Sequence, residues 1–259
     1  FAAGVWEADF RSNPDQAVSD INSWTSAQTD GRIPQLFPPG SLTSQTALVL
    51  ADALYFKAAW QHPFLVAQTS LGIFHNAVGD PTTTPFMFSD SFNVPAARTR
   101  SYQAVELPYV GGRLTALVVM PTHSSLSSFV RTLDSTSLDL MIQGLHKTPV
   151  NLSLPRFRVD APNDLSDALQ AMGLSNAFHR ATANFSGISS SAAYVQQVRQ
   201  RTFLSVTELG TEAAAASGVS IISSARAGEI ITVNRPFLFL IRDSDTGAIL
   251  FASEIESLR

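Results

Sequence analysis

The side chains in this sequence that could do chemistry are scattered. The five histidines, His62, His75, His123, His146 and His179, never fall at the spacing that brings two imidazoles onto one metal, and no HExxH helix signature occurs. Cysteine is absent, which removes thiolate nucleophiles, disulfides and cysteine zinc sites together. Serine is plentiful, but no G-x-S-x-G elbow presents one as a nucleophile, and no G-x-x-x-x-G-K-[ST] loop cradles a phosphate. No catalytic residue, no metal and no cofactor is therefore predicted. Asn151-Leu152-Ser153 and Asn184-Phe185-Ser186 match the glycosylation pattern, which is short enough to recur by chance. What stands out instead is a stretch with almost no chemistry of its own. Between Glu212 and Arg226 there is no charge, no proline and no side chain larger than isoleucine.

Two local structures fit that stretch. As a strand it would place Thr211, Ala213, Ala215, Ser217, Val219 and Ile221 on one face and Glu212, Ala214, Ala216, Gly218, Ser220 and Ile222 on the other. The first face could be buried without desolvating a charge. As a helix it would be alanine-rich and capped by Thr211. Composition leaves both open.

The surrounding elements read as mixed α and β. Residues 14–28 form an amphipathic helix, with Pro14 in its first turn and Ala17, Ile21 and Trp24 on one face. Residues 36–44 are loop, and 46–60 form a nearly continuous apolar run, the pattern of a strand buried on both faces. Residues 69–98 predict short strands separated by turns. A hairpin follows, with 101–107 and 113–120 flanking Gly111-Gly112. Residues 124–145 hold two short helices, 150–159 a strand, and 163–172 a helix closed by Gly173. Strands over 202–208, 230–233, 237–242 and 249–255 complete an α+β pattern with mostly antiparallel strands.

With 259 residues and 45% hydrophobic content, one large domain with a sizeable core is allowed. A net charge of −4 offers no basic stripe to displace counterions, so nucleic acid is not an expected partner. The apolar run at 47–56 is broken by Asp52 and is too short to span a bilayer. No signal peptide is visible at Phe1.

Six segments in order carry a family resemblance: INSW (21–24), TDGRI (29–33), ALYFKAAWQHPF (53–64), GTEAAAAS (210–217), VNRPFLFLI (233–241) and TGAILFASEI (246–255). Together they resemble the serpins, from about residue 5 to the C-terminus. The resemblance implies a single α+β domain over 1–259, with a large, mostly antiparallel central sheet, further sheets, surface helices and an exposed reactive loop at about 209–229. It also implies that the family's N-terminal helices and one central strand precede residue 1. The implied activity is suicide inhibition. A serine protease cuts the loop, becomes acylated on it, and is carried off as the hinge inserts into the central sheet. The alternative is a non-inhibitory binding or storage protein of the same fold. Neither is an enzyme. A secreted monomer is implied, able to link into loop–sheet polymers when an uncut hinge enters a neighbour. A strand of about ten new ladder bonds, at roughly 0.5–1.5 kcal/mol net each, would release about 5–15 kcal/mol, comparable to the stability of a domain.

Residue roles follow from the same resemblance. Glu208 opens the hinge and pairs with Arg156 near Trp60, where the sheet first parts. Gly210 and Thr211 form the pivot, and Glu212, Ala213, Ala214, Ala215 and Ala216 continue the hinge. The small side chains of Ala213 to Ala216 let the segment pass between packed strands. The sequence departs from the family farther down the sheet, where Asp52 and Gln200 replace the usual asparagine and histidine. Counting forward from Gly210 puts the cut bond at Ser224-Ala225, and counting back from Pro236 puts it at Ala225-Arg226. Both favour an elastase-like or subtilisin-like protease, whereas Arg226 itself would attract a trypsin-like one. Asn234, Pro236 and Phe237 are expected to be structural.

Overall fold

The computed structural model describes residues 4–188, 192–212 and 228–258. Helix α1 is Pro14–Gln28, with Pro14 and Asp15 in its first turn, where a missing N–H costs nothing and a carboxylate faces the positive helix end. Strands β1, Leu48–Tyr55, and β2, Ala58–Ala59, follow a loop, and then come β3, Ser70–Phe74, and β4, Thr82–Arg98. The short strands expected over 69–98 are thus one short strand, β3, and one long strand of 17 residues, β4. Its Pro85 and Pro95 sit where β4 has a neighbouring strand on one side only, so the missing N–H interrupts no ladder.

The predicted hairpin is β5, Tyr102–Pro108, and β6, Leu114–Pro121. Gly111 and Gly112 turn between them with φ of 92° and 71°, a conformation that favours glycine. Two short helices come next. Ser125 caps α2, Leu126–Val130, and an Asp134–Ser137 capping box starts α3, Ser135–Gln143. Strands β7, His146–Pro155, and β8, Phe157–Asp164, precede a broken helical turn. There α4, Ser166–Leu169, passes through a π-turn to α5, Ser175–Phe178, and Gly173 lies inside it at φ 103°. The helix expected over 163–172 therefore begins later, because Asn163 and Asp164 still belong to β8. Strands β9, Val195–Thr207, β10, Gly210–Thr211, β11, Glu229–Thr232, β12, Phe237–Asp243, and β13, Ile249–Ile255, complete the order.

The chain forms two compact units, one from Phe1–Phe56 with Val159–Leu204 and one from Lys57–Arg158 with Ser205–Arg259. In the first, β1 runs parallel to β9, with Val49 opposite Gln197, Asp52 opposite Gln200 and Tyr55 opposite Phe203. Val18, Leu36, Phe37 and Leu42 make a small core against Val49 and Ala51. The other face of β1 is open, since Leu50 is 47% exposed. The apolar run read as buried on both faces is buried on one, because alternate side chains of a strand point to opposite sides and only one side meets this cluster. The loop after α1 is held by side chains. Asn22 accepts from the Leu36 and Phe37 amides and donates to the Phe37 carbonyl, while Arg201 of β9 binds Asp160 and the Gln35 carbonyl.

The second unit is built on an eight-stranded sheet in the order β11-β7-β4-β5-β6-β12-β13, with β3 also on β4. All its pairings are antiparallel except β11 on β7. Its strands are rich in valine, leucine and phenylalanine, and one core cluster packs Ala104, Leu117, Val119, Leu238 and Leu240 against α2 and α3 through Leu126 and Met141. Phe157 meets Phe237 and Phe239 edge-on at 5.4 and 5.1 Å, an arrangement that suits the ring quadrupoles.

Candidate functional site

The hinge predicted after β9 is a tight return. Beyond Thr207 the chain turns at Glu208-Leu209, and Gly210 and Thr211 come back antiparallel to β9, opposite Thr207 and Val206. On their other side they pair with Ala59 and Ala58 of β2. Gly210 has φ 148°, which a side chain would disfavour. Glu212 has φ 50°, and its amide donates to the Ser205 carbonyl at 2.8 Å. Leu209–Glu212 fall within the span read as exposed loop, yet none of them is exposed and Thr211 is fully buried. Ala213, Ala214, Ala215, Ala216, Ser224, Ala225 and Arg226 lie outside the described residues.

Glu208 is nearly enclosed, at 3% exposure. Arg156 donates to it from Nε at 2.8 and 2.9 Å and from Nη2, and Thr69 donates its hydroxyl to Oε1. Burial acts to raise the carboxyl, but the Arg156 and Thr69 hydrogen bonds outweigh it and hold its pKa below the ordinary 4.5. The turn's backbone is held by Trp60, whose amide donates to the Leu209 carbonyl at 3.0 Å and whose indole donates to the Thr207 carbonyl at 2.9 Å. The indole stacks on Tyr109, with centroids 4.5 Å apart and planes 12° from parallel. Beyond the stack, the Tyr109 hydroxyl lies 2.7 Å from Thr211 Oγ1. Burial pushes the Tyr109 phenol well above its usual range, with the Thr211 bond acting in the opposite sense.

This geometry has the parts of a clasp. It holds one short backbone segment by an ion pair, an indole and a buried hydroxyl pair. Glu208, Arg156 and Trp60, named from the sequence, meet here along with Gly210 and Thr211. Asp52 and Gln200 meet in the first unit, where Gln200 Nε2 donates to Asp52 Oδ2 at 2.8 Å across the paired strands. Tyr109 and Thr69 escaped the sequence reading. They stand 102 and 139 residues from their hinge partners, and neither sits in a motif that marks it. Among the described residues, no group of three His, Asp or Glu side chains could hold a metal ion, and no helix is long and apolar enough to cross a membrane.

Comparison with known proteins gives one consistent answer. The family described as Serpin (serine protease inhibitor) matches residues 1–258. A serpin-like protein of Thermococcus kodakarensis is 36% identical over 250 residues, which make up 95% of this chain and 57% of that protein. Human Serpin B13 is 33% identical over 265 residues, 99% of this chain and 67% of its own length. Among solved structures, the thermophilic serpin tengpin in its native state superposes with a TM-score of 0.86 at 27% identity, covering 97% of this chain and 65% of tengpin. Native protease nexin-1 with heparin gives 0.85 at 29% identity, covering 98% and 69%. The chain thus spans roughly three fifths to two thirds of the length of these relatives.

Proposed function

The chain belongs to the serpin family, most of whose members inhibit serine proteases, and from that premise we propose that it is a suicide inhibitor that traps its protease by inserting the cut loop beside β9. The observation that carries this reading is the direct parallel pairing of β1 and β9 over Leu48–Tyr55. Two parallel neighbours can admit a strand that runs opposite to both, which replaces one parallel ladder by two antiparallel ones, the better-bonded arrangement. A strand folding back from β9 has that direction, and β10 has already begun it. Thr211 pairs with Val206, so the same register continued would set Ala213 beside Leu204, Ala214 beside Phe203 and Ala216 beside Arg201. Only small side chains could enter under the packed loop that Arg201 holds.

In this reading the Arg156–Glu208 pair and the Trp60 bonds keep the hinge in its short return until the loop is cut. The Asp52–Gln200 bond closes the seam between the strands that must part. Cleavage at Ser224-Ala225, or at Ala225-Arg226, matches a protease with a small specificity pocket, elastase-like or subtilisin-like, and cleavage after Arg226 a trypsin-like one. The chain acts as a consumed substrate and turns nothing over.

The test is incubation with elastase, subtilisin and trypsin, followed by denaturing electrophoresis and mass spectrometry of the released loop fragment. A covalent band at the summed mass is expected with at least one enzyme, and the fragment gives the bond. Rapid cleavage by all three without any covalent band would overturn the inhibitory reading in favour of a binding or storage protein of the same fold.

A further inference from the structure

Among the described residues, the eight-stranded sheet of the second unit has three edge strands, β11, β13 and β3. Two of them carry an exposed carboxylate, Glu229 on β11 and Glu254 on β13, a charge that discourages pairing with another chain. β3 has no such guard. From Phe64 to Gly79 the sequence holds no Asp, Glu, Lys, Arg or proline. Leu71 and Ile73 share one face of β3 and are 73% and 58% exposed.

The backbone beside these two side chains is open. Pro85 of β4 lies opposite Leu71, and its carbonyl accepts from the Arg156 amide at 2.9 Å. Arg156 directly follows β7, which lies on the other side of β4, so the main-chain groups of Pro85 point away from β3. Facing residues of an antiparallel pair point their main-chain groups both toward each other or both away. Leu71 therefore aims its N–H and C=O away from β4, as does Ile73 two residues on, and among the described residues no backbone group meets them. The open window is short. The His75 amide donates to the Asn234 carbonyl at 2.8 Å, and the Thr69 amide to the Val66 carbonyl at 3.1 Å.

We propose that β3 is a homodimerisation edge: two copies of the chain pair antiparallel about a two-fold axis at Gly72, with Leu71 of each copy opposite Ile73 of the other. Both facing pairs are of the hydrogen-bonded kind, so every main-chain donor and acceptor that the window leaves open finds a partner. A register shifted by two residues would set one of them against Thr69 or His75, whose amides are already engaged. Gly72 meets Gly72 at the axis, where antiparallel strands come closest. The Leu71 and Ile73 side chains of both copies join into one apolar stripe. Each chain carries a net charge of −4, and an uncharged window lets two such copies approach without setting like charges side by side. The contact uses neither the hinge nor the reactive loop, so it stands whether or not the chain inhibits a protease. With two residues a side it is small, and the dimer is reversible and concentration-dependent.

The experiment is sedimentation equilibrium of the whole chain from about 1 μM to about 1 mM, on the parent and on Leu71→Lys, Ile73→Lys and Ile73→Glu. The control is Leu140→Lys, which changes an equally exposed apolar residue on α3. Melting temperatures close to the parent's establish that each variant is folded. Parent and control are expected to dimerise with the same midpoint, and Leu71→Lys and Ile73→Lys to weaken the dimer about tenfold or more, since each places a charge on the stripe. An equimolar mixture of Leu71→Lys and Ile73→Glu should associate about twofold to fivefold more tightly than either alone, because the new lysine and the new carboxylate face each other. Amide exchange of the parent, followed by NMR, should slow with concentration at Leu71 and Ile73 and stay unchanged at Gly72, which already faces β4. A parent that is monomeric over the whole range overturns the proposal and leaves the edge to a strand from a different protein. A dimer that either lysine leaves intact uses another surface and overturns it, and a mixture that recovers nothing does so by removing the register. Association that appears only on heating and vanishes when the loop is cut is loop–sheet linkage, and it too overturns the proposal.

Discussion

The chain is tied down differently just before residue 213 and just after residue 227. On the near side, Thr207–Thr211 are held by the two-residue ladder of β10 and by side chains: a carboxylate in a guanidinium fork, an indole on a carbonyl, and a phenol on a hydroxyl. On the far side, Gly228 lies so close to β7 that a Cβ there would come within 2.7 Å of the Pro149 carbonyl oxygen. Glu229–Thr232 then run parallel to Val150–Ser153 in an ordinary ladder, and Ile230 remains 62% exposed. Side-chain bonds can be exchanged one at a time, whereas a ladder moves as a unit. On the inhibitory reading, the short near attachment is the one that changes when the loop is cut, and the four-residue far ladder is the one that stays.

The comparison breaks most easily at its far end. Gly228→Val should cost about 2–4 kcal/mol of stability, because the obstacle is backbone and cannot swing aside. Urea unfolding of uncut and nicked protein should show that loss equally in both. A loss confined to the uncut form would mean that the far attachment also lets go. Glu208→Ala should cost about 1–3 kcal/mol, the range for charge-assisted hydrogen bonds at a site where Arg156 keeps partial access to water. Here the loss belongs to the uncut form alone, and equal destabilisation of the nicked form would erase the distinction between the two ends.

The near end can be sharpened by pH. Glu208 titrates below 4.5 in the folded chain, so the stability it contributes is fully present above that value and is lost as pH falls through its lowered pKa. The stability gap between wild type and Glu208→Gln should stay constant from pH 7 to about pH 5 and close below pH 4.5, as read from urea midpoints. A gap that persists unchanged at pH 3 would show that the carboxylate's charge is not what holds the turn. The smallest effect is expected at Asp52→Ala. Its partner bond lies on the open face of β1 and should be worth no more than about 0.5 kcal/mol, and a larger shift in midpoint would make the seam a second clasp comparable to the hinge.

Much of this arrangement could be read from residue order, and the failures have physical reasons. Glu208 and Arg156 could be matched because each lies in a segment whose neighbours are distinctive in type. Asp52 and Gln200 could be matched because strands preserve register over many residues. The Tyr109–Thr211 bond could not, since a hydroxyl pair 102 residues apart has no periodicity and no flanking pattern. The long β4 was hidden by Pro85 and Pro95, whose local meaning is a break. Their tolerance depends on which sides of the strand are occupied, and that is tertiary information. The half-exposed β1 misled in the opposite direction. An apolar run states what a strand could bury and leaves open what covers it.

The two-residue ladder of β10 has an effect out of proportion to its size. Because Gly210 and Thr211 fix the phase against Thr207 and Val206, length changes in the tract that follows divide into two kinds. In the inserted strand of the proposed mechanism, one residue added directly after Thr211 would rotate every later side chain to the opposite surface of the sheet. The same addition next to Gly228 would leave that register unchanged. Natural or engineered length variants should therefore cluster near the second position and be rare at the first.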